Sequence, residues 1–255
     1  MIRFTSLGSG SAGNALLVER GQTRLLVDCG FAVRDVVVRL LSRQCTPEEL
    51  SGILVTHEHG DHISGVFRLA RKFGLPVWLT HGTWVASRES DADLDIRIID
   101  SDRSLTIGDW EVLPFTVPHD ARQPVQYLFA AEGRKLGVLT DIGEITPHVC
   151  DVLSGCSGLV LEFNHDAGML ARSTYPASLK RRIGGRFGHL ENDAAGALLS
   201  RIDCSRLQHL VAAHLSERNN CETMVRAAIT RSIGCELDWP VVATPDSGFD
   251  WRCLV

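Results

Sequence analysis

The chain has 255 residues, 44% of them apolar and 22% charged, with a net charge of −5. These proportions exclude a disordered or collagen-like chain, supply enough apolar side chains for a sizeable core, and argue against broad electrostatic attraction to nucleic acid while leaving room for a local basic patch. The N-terminal run has no apolar stretch of signal-sequence length and no later run approaches a membrane span, so one cytoplasmic domain over residues 1–255, without a membrane partner, is expected.

In chain order, Gly8-x-Gly10-x-x-Gly13 comes first and imitates a dinucleotide fingerprint. That fingerprint needs a helix directly after the glycines, whereas Ala15 to Glu19 and Arg24 to Asp28 around Gly21 read as a β-hairpin, so a tight loop is expected instead. A helical pattern follows over Ala32 to Ser42, and Thr46-Pro47-Glu48-Glu49 is a good helix start. The apolar run Ile53-Leu54-Val55 reads as a buried strand, followed by a helical pattern from Ile63 to Phe73. Strand patterns then cover Val112 to Val117 and a second hairpin, Val125 to Ala131 with Lys135 to Thr140 around Gly133. Single apolar runs at Leu159-Val160-Leu161 and Leu210 to Ala213 alternate with helical patterns at Ala194 to Ile202 and Cys221 to Ile233. A hairpin-rich early half and an alternating later half predict two packed sheets with helices outside. The eight cysteines are scattered without a Cys-x-x-Cys pair; they are expected to stay reduced and none is assigned to a metal.

The decisive feature is Thr56-His57-Glu58-His59-Gly60-Asp61-His62, three imidazoles and an aspartate directly after a strand. His57 and His59 share a face in extended backbone, and Gly60 is expected to let the chain turn and re-aim Asp61 and His62. The spacing can feed two neighbouring ions. A second ion needs ligands from elsewhere, and three strand ends offer them: His119 after Val117-Pro118, Asp141 after Leu139-Thr140, and His214 after Ala212-Ala213. Two ions roughly 3.5–4 Å apart can share a water and clamp both oxygens of a displacement. Imidazole and carboxylate donors without thiolate suit Zn²⁺, with Mn²⁺ or Fe²⁺ as alternatives. His81, His148 and His209 lack such spacing and are taken as surface or packed residues.

The order His-x-His-x-Asp-His, lone His, Asp, lone His resembles the metallo-β-lactamase-fold superfamily of dinuclear hydrolases over nearly the whole chain. The resemblance implies an α/β four-layer αββα sandwich with metals at the edge between the sheets. It also implies that His57, His59 and His119 hold one ion, that Asp61, His62 and His214 hold the other, and that Asp141 bridges them. Beside an ion Asp61 acts as a ligand, although alone it could serve as a base. Gly8 to Asn14, Glu162-Phe163-Asn164-His165-Asp166, Tyr175-Pro176 through Ile183, Gly188-His189-Leu190 and His214 to Asn220 are similar to the YycJ/WalJ-type metallo-hydrolases, with Glu191 departing from the pattern where serine is expected. For that group the resemblance implies a 5′-to-3′ DNA exonuclease linked to DNA repair. No β-CASP insertion is present in the sequence.

Arg172, Lys180, Arg181, Arg182 and Arg186, with Tyr175 and Phe187 between them, can track a phosphodiester backbone and stack a base, or lie on the wet face of a short helix. Arg181 and Arg182 are expected to serve DNA binding and not small-ester hydrolysis. His165 and His189 either line the site, with His189 as proton donor or phosphate contact, or pack beneath it. The rival readings are a hydrolase of small phosphodiesters or thioesters, which needs no basic track, and a nucleic-acid-binding module whose metals are structural. Seven candidate ligands exceed the four of a closed structural site. The residues leave open which metal is native, whether DNA or RNA is cut, the end attacked and the oligomeric state.

Overall fold

A computed structural model describes residues 1–255 as two seven-stranded sheets with helices on both outer faces. The first sheet holds β1 (Ile2–Gly8), β2 (Ala15–Arg20), β3 (Thr23–Val27), β4 (Gly52–Leu54), β5 (Val77–Thr80), β6 (Ile96–Ile99) and β14 (Phe249–Leu254), ordered β14-β1-β2-β3-β4-β5-β6. The second holds β7 (Leu105–Ile107), β8 (Trp110–Thr116), β9 (Val125–Ala131), β10 (Arg134–Leu139), β11 (Gly158–Glu162), β12 (His209–Ala213) and β13 (Val241–Val242), ordered β13-β12-β11-β10-β9-β8-β7. The helices are α1 (Val33–Ser42), α2 (Gly60–Ile63), α3 (Val66–Phe73), α4 (His81–Ser87), α5 (Pro147–Leu153), α6 (Ala167–Arg172), α7 (Ala177–Ile183), α8 (Asn192–Arg201) and α9 (Glu222–Ile233).

Each sheet begins with antiparallel hairpins and continues with parallel strands, β3 to β6 in one and β10 to β13 in the other. Antiparallel neighbours need only a tight turn. Between β9 and β10 that turn is Glu132-Gly133, both left-handed at φ 51° and 74°, the twist that suits a two-residue hairpin loop. Parallel neighbours need crossovers, which the helices supply.

The expected four layers follow from three apolar clusters. Between the sheets, Phe4, Val27 and Leu54 pack with Trp110, Tyr127, Phe129 and Val160. A second cluster joins the outer face of one sheet to Val36, Leu40 and Leu69 of α1 and α3, and a third joins the other sheet to Val149, Leu198 and Val225 of α5, α8 and α9. Each fully buried large apolar side chain contributes roughly 1.5–3 kcal/mol, so the strand ends are held by a rigid core. No helix is long and apolar enough to cross a membrane.

Two expected helices differ in extent. The pattern from Ile63 to Phe73 is interrupted at Ser64-Gly65, where Gly65 packs backbone to backbone on the segment that precedes α1, donating its N–H to the Cys29 carbonyl at 2.8 Å; a Cβ there would lie 2.0 Å from the Phe31 carbonyl oxygen. Thr46-Pro47-Glu48-Glu49 starts as expected, with Glu49 Oε2 accepting from the Thr46 N–H at 2.7 Å, but makes only one 3₁₀ turn before β4.

Candidate metal centre

All the strands that deliver polar residues to the site do so at their C-terminal ends, where an α/β sheet leaves its crevice. Asp28 follows β3, His57 to His62 follow β4, His119 follows β8, Asp141 follows β10, Glu162 ends β11 and His214 follows β12. Gly60 does not act as expected. It is the first residue of α2 and a Cβ there would meet nothing within 4 Å, so a helical turn, not glycine freedom, re-aims Asp61 and His62. The close approach lies at Gly30, whose Cβ would fall 1.9 Å from the Asp61 carbonyl oxygen.

The histidine tautomers follow from their outer partners. Thr56 Oγ1 donates to Asp28 Oδ2 at 2.8 Å, so it must accept from His57 Nδ1 at 2.9 Å. His62 Nδ1 donates to Asp28 Oδ2 at 2.8 Å, and His119 Nδ1 donates to the Gly188 carbonyl at 2.9 Å. His59 Nε2 lies 3.2 Å from the Asp120 carbonyl. The inward nitrogens that remain, His57 Nε2, His59 Nδ1 and His119 Nε2, face one another, the last two 3.2 Å apart. His57 Nε2 is buried and has no hydrogen-bond partner. Converging lone pairs with an orphaned nitrogen among them are unfavourable alone and fit a cation.

A second group adjoins the first. Asp61 Oδ2 lies 3.3 Å from His214 Nε2 and 3.5 Å from His62 Nε2. Asp141 stands between the groups, with Oδ2 3.1 Å from His62 Nε2 and Oδ1 3.9 Å from His119 Nε2. Donor atoms of His57, His59 and His119 lie within 4.8 Å of one another, as do those of Asp61, His62 and His214, and those of His57, His62 and Asp141. These are the two trios and the intervening aspartate expected from the sequence, brought together from four strand ends.

Charge explains the titration of the cluster. Burial drives His57 well below the ordinary histidine value. Burial would lower His62 too, but the Asp141 and Asp28 carboxylates raise it well above that value. His214 is also opposed by burial, yet Asp141, Asp61 and Glu162 raise it to about 10. Asp61, which burial alone would raise, is held well below the usual carboxylate range by His214 and His62. Protons on His62 and His214 therefore balance carboxylate charge that a divalent cation can neutralise instead.

Several residues with clear roles here were not assigned from sequence. Glu162, fully buried, accepts from His189 Nδ1 at 2.7 Å and from the backbone N–H of Ile142 and Leu190 at 2.9 and 3.1 Å, and its Oε1 lies 3.2 Å from His214 Nδ1. Asp28 braces His62 and Thr56. Both carry the signal that found Asp141, a carboxylate at the end of a buried run. Asn14, in the loop between β1 and β2, hydrogen-bonds the Asp61 carbonyl through its backbone N–H at 2.8 Å and lies 3.2 Å from His62 Nε2, which puts the glycine-rich loop beside the second trio.

The basic segment divides. Arg182 donates through Nε to Asp120 Oδ2 at 2.6 Å and lines the cavity of about 350 Å³ shared by His59, Asp61, Asp141, His189 and His214. It was expected to serve DNA binding, and its place here sets it beside the candidate ligands as well. Lys180 and Arg181 line a neighbouring cleft with His165, whose Nδ1 lies 3.2 Å from Asn164 Oδ1 and which stands outside the ligand trios. Arg186 pairs with Glu144 at 2.8 Å, and Arg172 is exposed at the end of α6. Tyr175 is covered by Arg218, 5.9 Å from its ring, whereas Phe187 is exposed.

A family model described as beta-lactamase superfamily domain matches residues 23–214, from β3 through the last trio histidine. The chain belongs to the beta-lactamase superfamily. Within it the chain is of the YycJ/WalJ type. It is 37% identical to Exodeoxyribonuclease YycJ of Bacillus anthracis over 90% of this chain and 88% of that protein. It is 33% identical to Exodeoxyribonuclease WalJ of Streptococcus pneumoniae serotype 2 over 96% of this chain and 95% of that protein. Among solved structures, the metallo-beta-lactamase fold protein YhfI of Bacillus subtilis superposes with a TM-score of 0.77 at 19% identity, covering 98% of each chain. Zn²⁺-bound PqqB of Methylobacterium extorquens superposes at 0.74 and 16% identity, over 99% of this chain and 100% of that one; both likenesses speak to the fold.

Proposed function

We propose that this chain is a dinuclear metal-dependent phosphodiesterase that removes nucleotides from DNA, from the 5′ end inward. The observation that carries the reading is the pair of ligand trios either side of Asp141, opening into a cavity that also holds Arg182 and His189. The exodeoxyribonuclease relatives, matched over most of their length, support DNA as substrate. His57, His59 and His119 would hold one ion and Asp61, His62 and His214 the other, with Asp141 shared; the donors favour Zn²⁺, with Mn²⁺ and Fe²⁺ as alternatives. Such ions supply an activated water and neutralise charge on the phosphoryl oxygens.

The remaining chemistry belongs to the chain's own side chains. Water oxygen bonds to phosphorus, the bond from phosphorus to the leaving oxygen breaks, and that oxygen needs a proton. His189 fits this need: its Nδ1 is engaged by Glu162, leaving Nε2–H as the donor, and although burial works against its protonation, the Glu162 and Asp141 carboxylates raise its pKa. Arg182, held by Asp120, presents the rest of its guanidinium to a phosphate in the cavity. Asp61 serves as ligand.

Metal analysis together with 5′- and 3′-labelled strands of DNA and RNA tests the reading. Two ions per chain and loss of nucleotides from the 5′ end of DNA are expected; attack from the 3′ end, or a strong preference for RNA, overturns the substrate assignment.

A further inference from the structure

Beside the metal cavity lies a cleft of about 440 Å³ between α6, α7 and the start of α8. His189 lines both spaces, so its imidazole is the partition between them. The walls of the cleft differ in chemistry. Ala167, Leu170 and Ala171 make an apolar face along α6, while Lys180 and Arg181 of α7 bring two positive charges. Lys180 donates one N–H to the Ala171 carbonyl at 2.7 Å and keeps its others, whereas Arg182 and Arg186 on the same segment are engaged by carboxylates. His165 is 2% exposed and its ring is held through Nδ1, with Nε2 left to the cleft. Glu191 adds a carboxylate acceptor.

An apolar wall, paired cations and neutral or anionic acceptors do not fit a bare anion, which Glu191 would repel. They fit a ligand with a flat apolar face, a phosphate and hydrogen-bond donors. The volume suits one such unit and not an oligomer, since small-molecule sites run to about 300–1,000 Å³.

We propose that this cleft is a mononucleotide subsite that receives the terminal nucleotide of the strand. The base lies on the α6 face within reach of Glu191, the terminal phosphate lies toward Lys180 and Arg181, and the next phosphodiester passes His189 into the metal cavity. This assignment rests on the phosphodiesterase reading and adds a reason for terminal cleavage: a cleft of this volume holds one nucleotide.

Titration calorimetry on the metal-loaded enzyme, with deoxycytidine 5′-monophosphate and inorganic phosphate as probes, tests it. The nucleotide should bind one per chain, at least tenfold more tightly than phosphate. Ala167 is exposed at the first position of α6, so Ala167→Trp fills the cleft from the surface. It should weaken nucleotide binding at least tenfold and lower kcat/KM on DNA ends by a similar factor, and Arg181→Ala should do the same if the tryptophan variant does not fold. Nucleotide binding no tighter than phosphate binding, or undiminished in these variants, overturns the subsite. A wild-type enzyme that binds the nucleotide in this way yet cleaves no DNA would overturn the exonuclease reading and leave the subsite standing.

Discussion

Glu162 Oε1 lies 2.7 Å from His189 Nδ1, inside a core where the glutamate is fully buried and the histidine ring is 22% exposed. The same oxygen lies 3.2 Å from His214 Nδ1, so one carboxylate orients both the proposed proton donor and a proposed ligand. Glu162→Gln keeps the shape and removes the charge. Burial acts to lower the His189 pKa, and Glu162 is the largest influence raising it. A donor with a raised pKa is competent below that pKa and is lost as pH rises through it. Removing the charge lets His189 deprotonate at lower pH, so the alkaline limb of the kcat profile should move down and the rate should fall about 10–100-fold. An unmoved limb in a pH–rate profile would show that Glu162 does not act through His189. His189→Ala should keep its metal and lose roughly 10²–10⁴-fold in single-turnover cleavage, a pairing that a ligand would not produce.

Asp141→Ala should release at least one ion and abolish turnover, because its carboxylate reaches histidines of both trios. Elemental analysis of the purified variant beside a cleavage assay checks this. Full activity with one ion per chain would sink the dinuclear assignment.

Arg182→Ala should slow hydrolysis of a small chromogenic phosphodiester as well as DNA, since the guanidinium lines the metal cavity although its side chain is 61% exposed. Loss of a charge-assisted hydrogen bond to phosphate costs about 1.5–3 kcal/mol, or roughly 10- to 100-fold in kcat/KM. A variant slowed on DNA alone would return Arg182 to the role of a backbone contact.

Two glycines near the motif should respond in opposite ways. Gly60→Ala adds a methyl group into open space at the start of a helix and should be neutral or stabilising by up to about 1 kcal/mol. Gly30→Ala drives a methyl group into the Asp61 carbonyl and should cost about 1–3 kcal/mol or more while displacing Asp61 from its trio. Thermal melting with metal titration separates the two; equal melting temperatures would contradict the packing described here.

The sequence by itself determined which strands end in candidate metal ligands. His57, His59, Asp61, His62, His119, Asp141 and His214 each follow an apolar run, and the local pattern that buries the run also places the next polar residue at the sheet edge. Both hairpins and the long α8 and α9 patterns were legible for the same reason, because turn chemistry and periodicity act over a few residues. Tertiary structure alone decided which face of that edge each side chain shares. Arg181 and Arg182 are neighbours in sequence, yet a helical step of about 100° sends one to the side cleft and the other to the metal cavity. Glu162 became the brace of His189 and Asp28 the brace of His62 only when β11 and β3 were packed beside the loops that carry those histidines. Gly65 stands at the break in an otherwise continuous helical pattern, and only glycine fits there because the Phe31 carbonyl, distant along the chain, occupies the space a side chain would need. Such contacts depend on the direction of side chains across separate elements, which propensity and spacing do not encode.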